Sequence, residues 1–161
     1  MPPELKHVCD IEVDVGPIRD LGLTPHGRRR IVTIQGGRAH GPRLEAVVIP
    51  GGADWQYVRS DGVVELEARY ALRTSDGTEI AITNRGLRRA PAAVMERILR
   101  GEPVDARNVY FRTVPVFEAP AGPYGWLNQS VFIATAERLS NKVHLSIFEV
   151  VLQPAGVRIL R

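Results

Sequence analysis

The residues best placed to do chemistry gather around Pro50-Gly51-Gly52-Ala53-Asp54-Trp55, where a glycine pair delivers a carboxylate and an indole side by side. A carboxylate against an apolar ring has its charged form disfavoured, so Asp54 reads as a general base with a raised pKa. Its first-choice partner is Arg112, in Tyr110-Phe111-Arg112-Thr113. A buried arginine needs an anionic partner or ligand, because an unpaired buried charge costs several kcal/mol. Paired with Asp54, Arg112 braces the site; left free, it recognises a carboxylate or enolate oxygen. Trp55, Tyr70 and Trp126 supply apolar walls, Asn128 joins Arg112 in stabilising developing oxyanion charge, and Glu118 adds a further polar contact. Each residue also has a structural reading: core packing for the aromatics, an ion pair of Arg112 with Asp54 or Glu118, turn capping for Asn128. Their convergence, in a chain with only 6% aromatic residues, is what a pocket with a few polar groups would look like.

Other chemistries find no support in the spacing. The four histidines, His7, His26, His40 and His144, form no HxH, HxxxH or HExxH arrangement, so no metal is expected. There is no GxSxG, and Cys9 lies in an alternating stretch where a buried, inert thiol is expected. Neither Gly36-Gly37 nor Gly51-Gly52 completes a phosphate loop, so no nucleotide cofactor, and no cofactor of any kind, is expected. Arg28-Arg29-Arg30 is the one basic run. At a net charge of +3 without a massed basic face, it reads as a solvated turn or strand edge and not as a nucleic-acid contact.

The elements that must carry these residues are mostly strands. Residues 63–73 alternate cleanly, with Val64, Leu66, Ala68, Tyr70 and Leu72 on one face and Glu65, Glu67, Arg69 and Arg73 on the other. Thr74-Ser75-Asp76-Gly77 then turns into residues 78–83, and Asp-Gly between alternating runs is a strong hairpin signal. Further strands are expected over 5–15, 29–35, 43–49, 109–118, 130–137 and 143–152, with turns at Ser60-Asp61-Gly62 and Ser140-Asn141-Lys142. Within 109–118, Arg112 shares a face with Tyr110, Val114 and Val116, while Phe111, Thr113 and Phe117 point the other way. One helix is expected from Pro91 to Arg100, with proline at its start, Gly101 just past its end and Val94, Ile98 and Leu99 as an apolar stripe. The whole therefore reads as an all-β, mainly antiparallel chain: a small closed or nearly closed barrel with one short helix plugging an end or flank.

Taken in order, the two glycine pairs, Asp54-Trp55, Arg69-Tyr70, Asn84-Arg85-Gly86, Tyr110-Phe111-Arg112-Thr113, Phe117-Glu118, Trp126 with Asn128, and Phe148-Glu149 resemble a bacterial family, domain of unknown function thirty-two thirty-seven. The resemblance runs from about Pro3 to Val150 and implies a small β-barrel. It assigns no catalytic role to any position. The family often carries tyrosine where Phe148 stands, so a proton-donor role at that position does not transfer.

With 161 residues, the chain is expected to form one domain over 1–161. A single cysteine excludes an internal disulfide, the N-terminus lacks a signal-peptide pattern, and no apolar run suffices for a membrane helix. A cytoplasmic protein without membrane or nucleic-acid partners is expected; a homo-oligomer is compatible with the sequence. Three functions follow. The first is a cofactor-independent isomerase, lyase, hydratase or cyclase acting on a small, partly apolar carbonyl or carboxylate compound in the barrel. The second is a non-catalytic binder or carrier of such a ligand. The third is an interaction module with a filled core, which a cavity below about 100 Å3, against ~300 Å3 or more for ordinary ligand sites, would favour.

Overall fold

The computed structural model describes residues 2–152. Eight strands follow one another around a ring: β1 (Glu4–Thr24), β2 (Gly27–His40), β3 (Ala46–Val58), β4 (Val64–Arg73), β5 (Glu79–Arg89), β6 (Tyr110–Glu118), β7 (Val131–Arg138) and β8 (Lys142–Val151). Every strand pairs antiparallel with its chain neighbour, and β8 pairs back onto β1, which closes the barrel. The expected fold class is thus the observed one.

Alternation is what builds it. In β4, Val64, Leu66, Tyr70 and Leu72 are buried while Glu65, Arg69 and Arg73 face solvent. The expected turn into β5 forms, with Thr74 N–H donating to Thr78 O at 3.0 Å and Gly77 taking the φ of +84° that such a turn demands. β5 then continues beyond the expected limit, through Asn84-Arg85-Gly86 to Arg89. β1 likewise runs on to Thr24, because register shifts on either side of Val15 accommodate Pro17, whose missing N–H cannot join a regular ladder.

The two glycine pairs are structural partners. Gly36 and Gly37 on β2 (φ +144° and +129°) and Gly51 on β3 (φ +112°) flank the stretch where the β2–β3 register breaks, between Thr33↔Ala53 and Arg38↔Val47. A Cβ on Gly37 would lie 2.0 Å from Glu12 O, and one on Gly52 2.4 Å from Arg69 O. These bends let the strands coil tightly enough to close.

The single helix, α1 (Ala92–Leu99), lies between β5 and β6. Gly101 (φ +72°) ends it, its N–H bonding to Ile98 O while Glu102 N–H reaches Arg97 O, a paired closure typical of helix C-termini. Only Ile98 of this helix is buried. Met95 packs on a small cluster of Val64, Leu66 and Phe111 at one end of the barrel. At the other end the larger core closes around Phe117 and Phe132, whose rings meet edge-on at 5.0 Å, with Leu127 buried beside them. The β6–β7 ladder is short, with only two paired positions, Arg112↔Thr135 and Thr113↔Ala134.

Candidate functional site

Successive strand residues point to opposite sides of a barrel wall, so the inward positions can be followed strand by strand. On β3 they are Asp54 and Gln56; on β5, Asn84 and Arg88; on β6, Phe111 and Thr113; on β7, Arg138. Register stacks them, since Asp54 pairs with Ala68, which pairs with Asn84, while Gln56, Leu66 and Gly86 form the next rung. Together with Tyr70, Leu66 and valines of β1, β2 and β8, these side chains enclose a cavity of about 50 Å3. That volume accepts roughly three or four waters or an ion of a few atoms. It lies below the size expected for a substrate site.

The cavity is nevertheless not a filled core. Among the described residues, five side-chain atoms are shut off from solvent without a hydrogen-bond partner: Asp54 Oδ1, Gln56 Oε1, Asn84 Oδ1, Arg88 Nε and Thr113 Oγ1. All five belong to residues lining this one cavity. Buried polar groups are nearly always paired, and each orphan costs about 1–3 kcal/mol, so their concentration at one point marks a place built to receive polar atoms.

The electrostatics are uneven. Burial pushes the Asp54 carboxyl above its ordinary range, against the opposing pull of the Gln56 hydrogen bond, Arg88, the Glu67 backbone N–H and Arg138. Burial also pushes the Arg88 guanidinium down to about 10, with Arg138 acting in the same direction and Asp54 against it. Arg138 is lowered by burial too. Tyr70, a cavity wall, has its hydroxyl raised by burial.

Of the residues expected at the site, the structure brings Asp54 and Tyr70 to the cavity and leaves the rest elsewhere. Trp55 cannot share an interior with Asp54, because adjacent strand residues face opposite ways; it is 42% exposed on the outer wall, with the Arg29 guanidinium 5.2 Å from its ring. Arg112 also lies outside. Strand β6 buries Phe111, Thr113, Pro115 and Phe117, since two phenylalanines remove more apolar surface from water than Tyr110, Val114 and Val116 around an arginine. Arg112 donates to its neighbour Phe111 O at 2.8 Å and stands over the Tyr110 ring. It does not pair with Asp54. Glu118 is exposed on the same outer face of β6.

Trp126 and Asn128 sit on the short 3-10 turn Gly125–Gln129, far along the barrel from Asp54. Trp126 packs on Phe132 and carries the Arg43 guanidinium 3.9 Å above its ring. Arg43 also pairs with Glu149, which accepts from Ser130 Oγ at 2.5 Å. Asn128 is a clamp: its Oδ1 accepts from Ala119 N–H and its Nδ2 donates to Ala119 O, both at 2.8 Å.

Gln56, Arg88 and Arg138 are not singled out by the sequence, and Asn84 and Thr113 enter it only through the family motifs and not as site residues, although a signal is present. Extending the phase of Ile80 and Ile82 along β5 lands on Asn84 and Arg88, and the phase of Phe132 and Ala134 along β7 lands on Arg138. Among the described residues no group of histidine, cysteine and acidic side chains is arranged to hold a metal ion. No helix among them is long and apolar enough to cross a membrane.

The protein is therefore a closed eight-stranded antiparallel barrel whose interior holds charged groups and unpaired polar atoms. The chain belongs to the family described as protein of unknown function DUF3237, whose model matches residues 3–150. A UPF0311 protein of Rhodopseudomonas palustris is 38% identical over 147 residues, 91% of this chain and 96% of its own. Its crystal structure superposes with a TM-score of 0.91 at 37% identity, covering 94% of this chain and 99% of that one. A β-barrel-like protein of Acinetobacter baumannii is 34% identical with a TM-score of 0.81, covering 94% and 98%. More distantly, a hydroalkoxylation enzyme of Penicillium herquei is 29% identical over 82 residues, 51% of this chain and 54% of its own. A solved enzyme structure from that organism shares the fold, with a TM-score of 0.70 at 21% identity, 94% of this chain and 96% of that one.

Proposed function

We propose that the protein is a cofactor-independent acid–base enzyme that works on a small carbonyl or carboxylate compound inside the barrel, with Asp54 as the proton carrier. The observation that carries this reading is the convergence of Asp54, its Oδ1 unpartnered, with Arg88 and four further orphaned polar atoms in one cavity. A carboxyl whose pKa burial has raised is a stronger base when ionised than an ordinary aspartate, which suits it to taking up a proton and giving it back. In such a step Asp54 Oδ1 accepts a proton from the carbon beside the carbonyl and the C–H electron pair forms an enolate with its charge on the substrate's oxygen; Asp54, whose proton exchanges with solvent, then returns a proton to carbon in isomerisation or to the departing oxygen as the C–O bond breaks in elimination, and addition is the reverse of elimination. Arg88 and Arg138 face the oxygen that gains charge. Isomerisation, elimination and addition across a double bond all fit this sequence. The distant relative named as a hydroalkoxylation enzyme supports the addition end of that range.

The cavity is smaller than such a substrate, so binding requires the barrel to open, and one place for this is α1, which rests on the cavity's end wall through Met95 and is anchored by the single buried Ile98. The test is deuterium wash-in from heavy water into a panel of small keto acids, unsaturated acids, ketones and unsaturated carbonyl compounds, followed by proton NMR. Wild type should accelerate exchange on at least one compound and Asp54→Asn should lose it. A panel whose members protect the protein against heat without any exchange would leave a binding protein in place of an enzyme.

A further inference from the structure

The charged side chains lining the cavity are Asp54, Arg88 and Arg138, two guanidinium groups against one carboxylate. An excess of one positive charge around a largely buried space is costly to the extent that it is desolvated, most of all at Arg88. Asp54 offsets the field of both arginines without a direct ion pair to either, which leaves one positive charge unmatched. Arg88 is 2% exposed and its Nε has no partner. Arg138 is half-buried, senses the Asp54 charge and makes one long 3.5 Å contact with the exposed Ser140 O. Neither forms an ion pair with a carboxylate among the described residues. Asp54 gives one oxygen to Gln56 and keeps the other unpaired. Arg30, near Arg88, is already spoken for by Asp20 at 3.9 Å.

We infer that the interior is an anion site: the ligand is held as a monoanion with its charge on oxygen, a carboxylate or an enolate, seated between Arg88 and Arg138, whereas a neutral carbonyl compound is not retained. One negative charge brings the lining to neutrality with Asp54 ionised. A planar oxyanion suits the guanidinium donors, which match carboxylate-type oxygens. The remaining orphans then find roles, since Thr113 Oγ1 is a donor for the anion while Asn84 Oδ1 and Gln56 Oε1 accept from hydroxyl or amide groups of the ligand. The cavity of about 50 Å3 has room for the anionic head alone, so the rest of a larger ligand extends toward the α1 end. This deepens the proposed function by fixing the ionisation state of what is bound, and it rests on the same cavity being the ligand site.

Formate is small enough to probe the closed cavity, with formamide as its neutral counterpart and sodium gluconate, too large to be admitted, as the ionic-strength background. Wild-type protein should be stabilised by formate in a saturable manner and not by formamide, as read by thermal unfolding and calorimetry. Arg88→Met and Arg138→Met should each weaken formate at least tenfold, while Asp54→Asn should bind it more tightly by removing a competing negative charge. Crystals soaked in bromide provide a second readout that needs no variant to fold, an anomalous peak between Arg88 and Arg138. Equal stabilisation by formamide, unchanged formate affinity in both folded arginine variants, or no bromide in the cavity would each overturn the inference. The two readings fail separately. Anion binding with no Asp54-dependent exchange removes the enzyme and keeps the anion site, whereas Asp54-dependent exchange on neutral ketones with no anion binding does the reverse.

Discussion

Gln56 Nε2 donates a 2.7 Å hydrogen bond to Asp54 Oδ2, and by doing so leaves Oδ1 turned into the cavity with no partner. The two residues stand two apart on β3, so strand geometry puts them on the same inner face. The amide fixes the carboxylate's orientation, and a proton acceptor held in one orientation is a prerequisite for acid–base work.

Asp54 should set a pH dependence of stability. Its carboxyl is raised in the folded state, so the native protein holds a proton that the unfolded chain has released; stability therefore falls as pH rises from about 4 through the folded value. Asp54→Asn removes that loss. The variant should match wild type at the acid end and exceed it at neutral pH, which denaturant titrations across pH would show as a widening gap. A gap of the opposite sign would mean that Arg88 and Arg138 hold the carboxylate ionised.

Arg112→Ala should change little. The side chain lies on the outer wall with a bond to its own neighbour's carbonyl, and surface changes of this kind stay within roughly 0.5 kcal/mol. Chemical denaturation should give an unchanged midpoint, and formate stabilisation should persist.

Asn128→Ala should be costly for a reason unrelated to ligand. It removes both hydrogen bonds to Ala119 and leaves that backbone N–H and carbonyl without their partner, a loss of about 1–3 kcal/mol per group deprived. Urea unfolding would register it, while formate affinity of the folded fraction should equal that of wild type.

Gly86→Ala tests the packing of the rung below Asp54. A Cβ there would lie 2.3 Å from Arg112 O and 2.5 Å from Thr113 Cγ2, so β5 and β6 must separate. A cost of about 1–3 kcal/mol is expected from overpacking, and because Thr113 lines the cavity, the same change should lower formate affinity.

How far the sequence could be read is clearest at β4 and β6. Where charge and apolarity alternate, as from Val64 to Arg73, the inner face is legible and the strand forms as expected. β6 offers apolar residues on both faces, so its sequence alone points Arg112 inward on chemical grounds, although burial of Phe111 and Phe117 decides the matter. Asp54 was legible because a carboxylate beside a glycine bend is unusual. Arg88 and Arg138 were not, because each lies at the far end of its strand, where an arginine reads as a solvated terminus. Only barrel closure, which sets the end of β5 across from the ends of β3 and β7, turns those termini inward. Trp126 and Asn128 were noticed for their type, and their role as a clasp on the closed end depends on contacts with Arg43 and Ala119 that no local pattern shows.

The short β6–β7 ladder has a mechanical meaning. A cylinder laced by long ladders at its other joints but by two paired positions here has a seam, and a seam is where thermal motion parts a wall first. Thr113 lies on one lip and Arg138 ends the other, so a brief unzipping along this line would expose the interior sideways, without unseating the helix. Amide protons of β7 would then exchange with solvent sooner than those of β4, whose ladders on both sides are long. Val114, Val116 and Val131, exposed on the outer surface of these two strands, would line the rim of that slit.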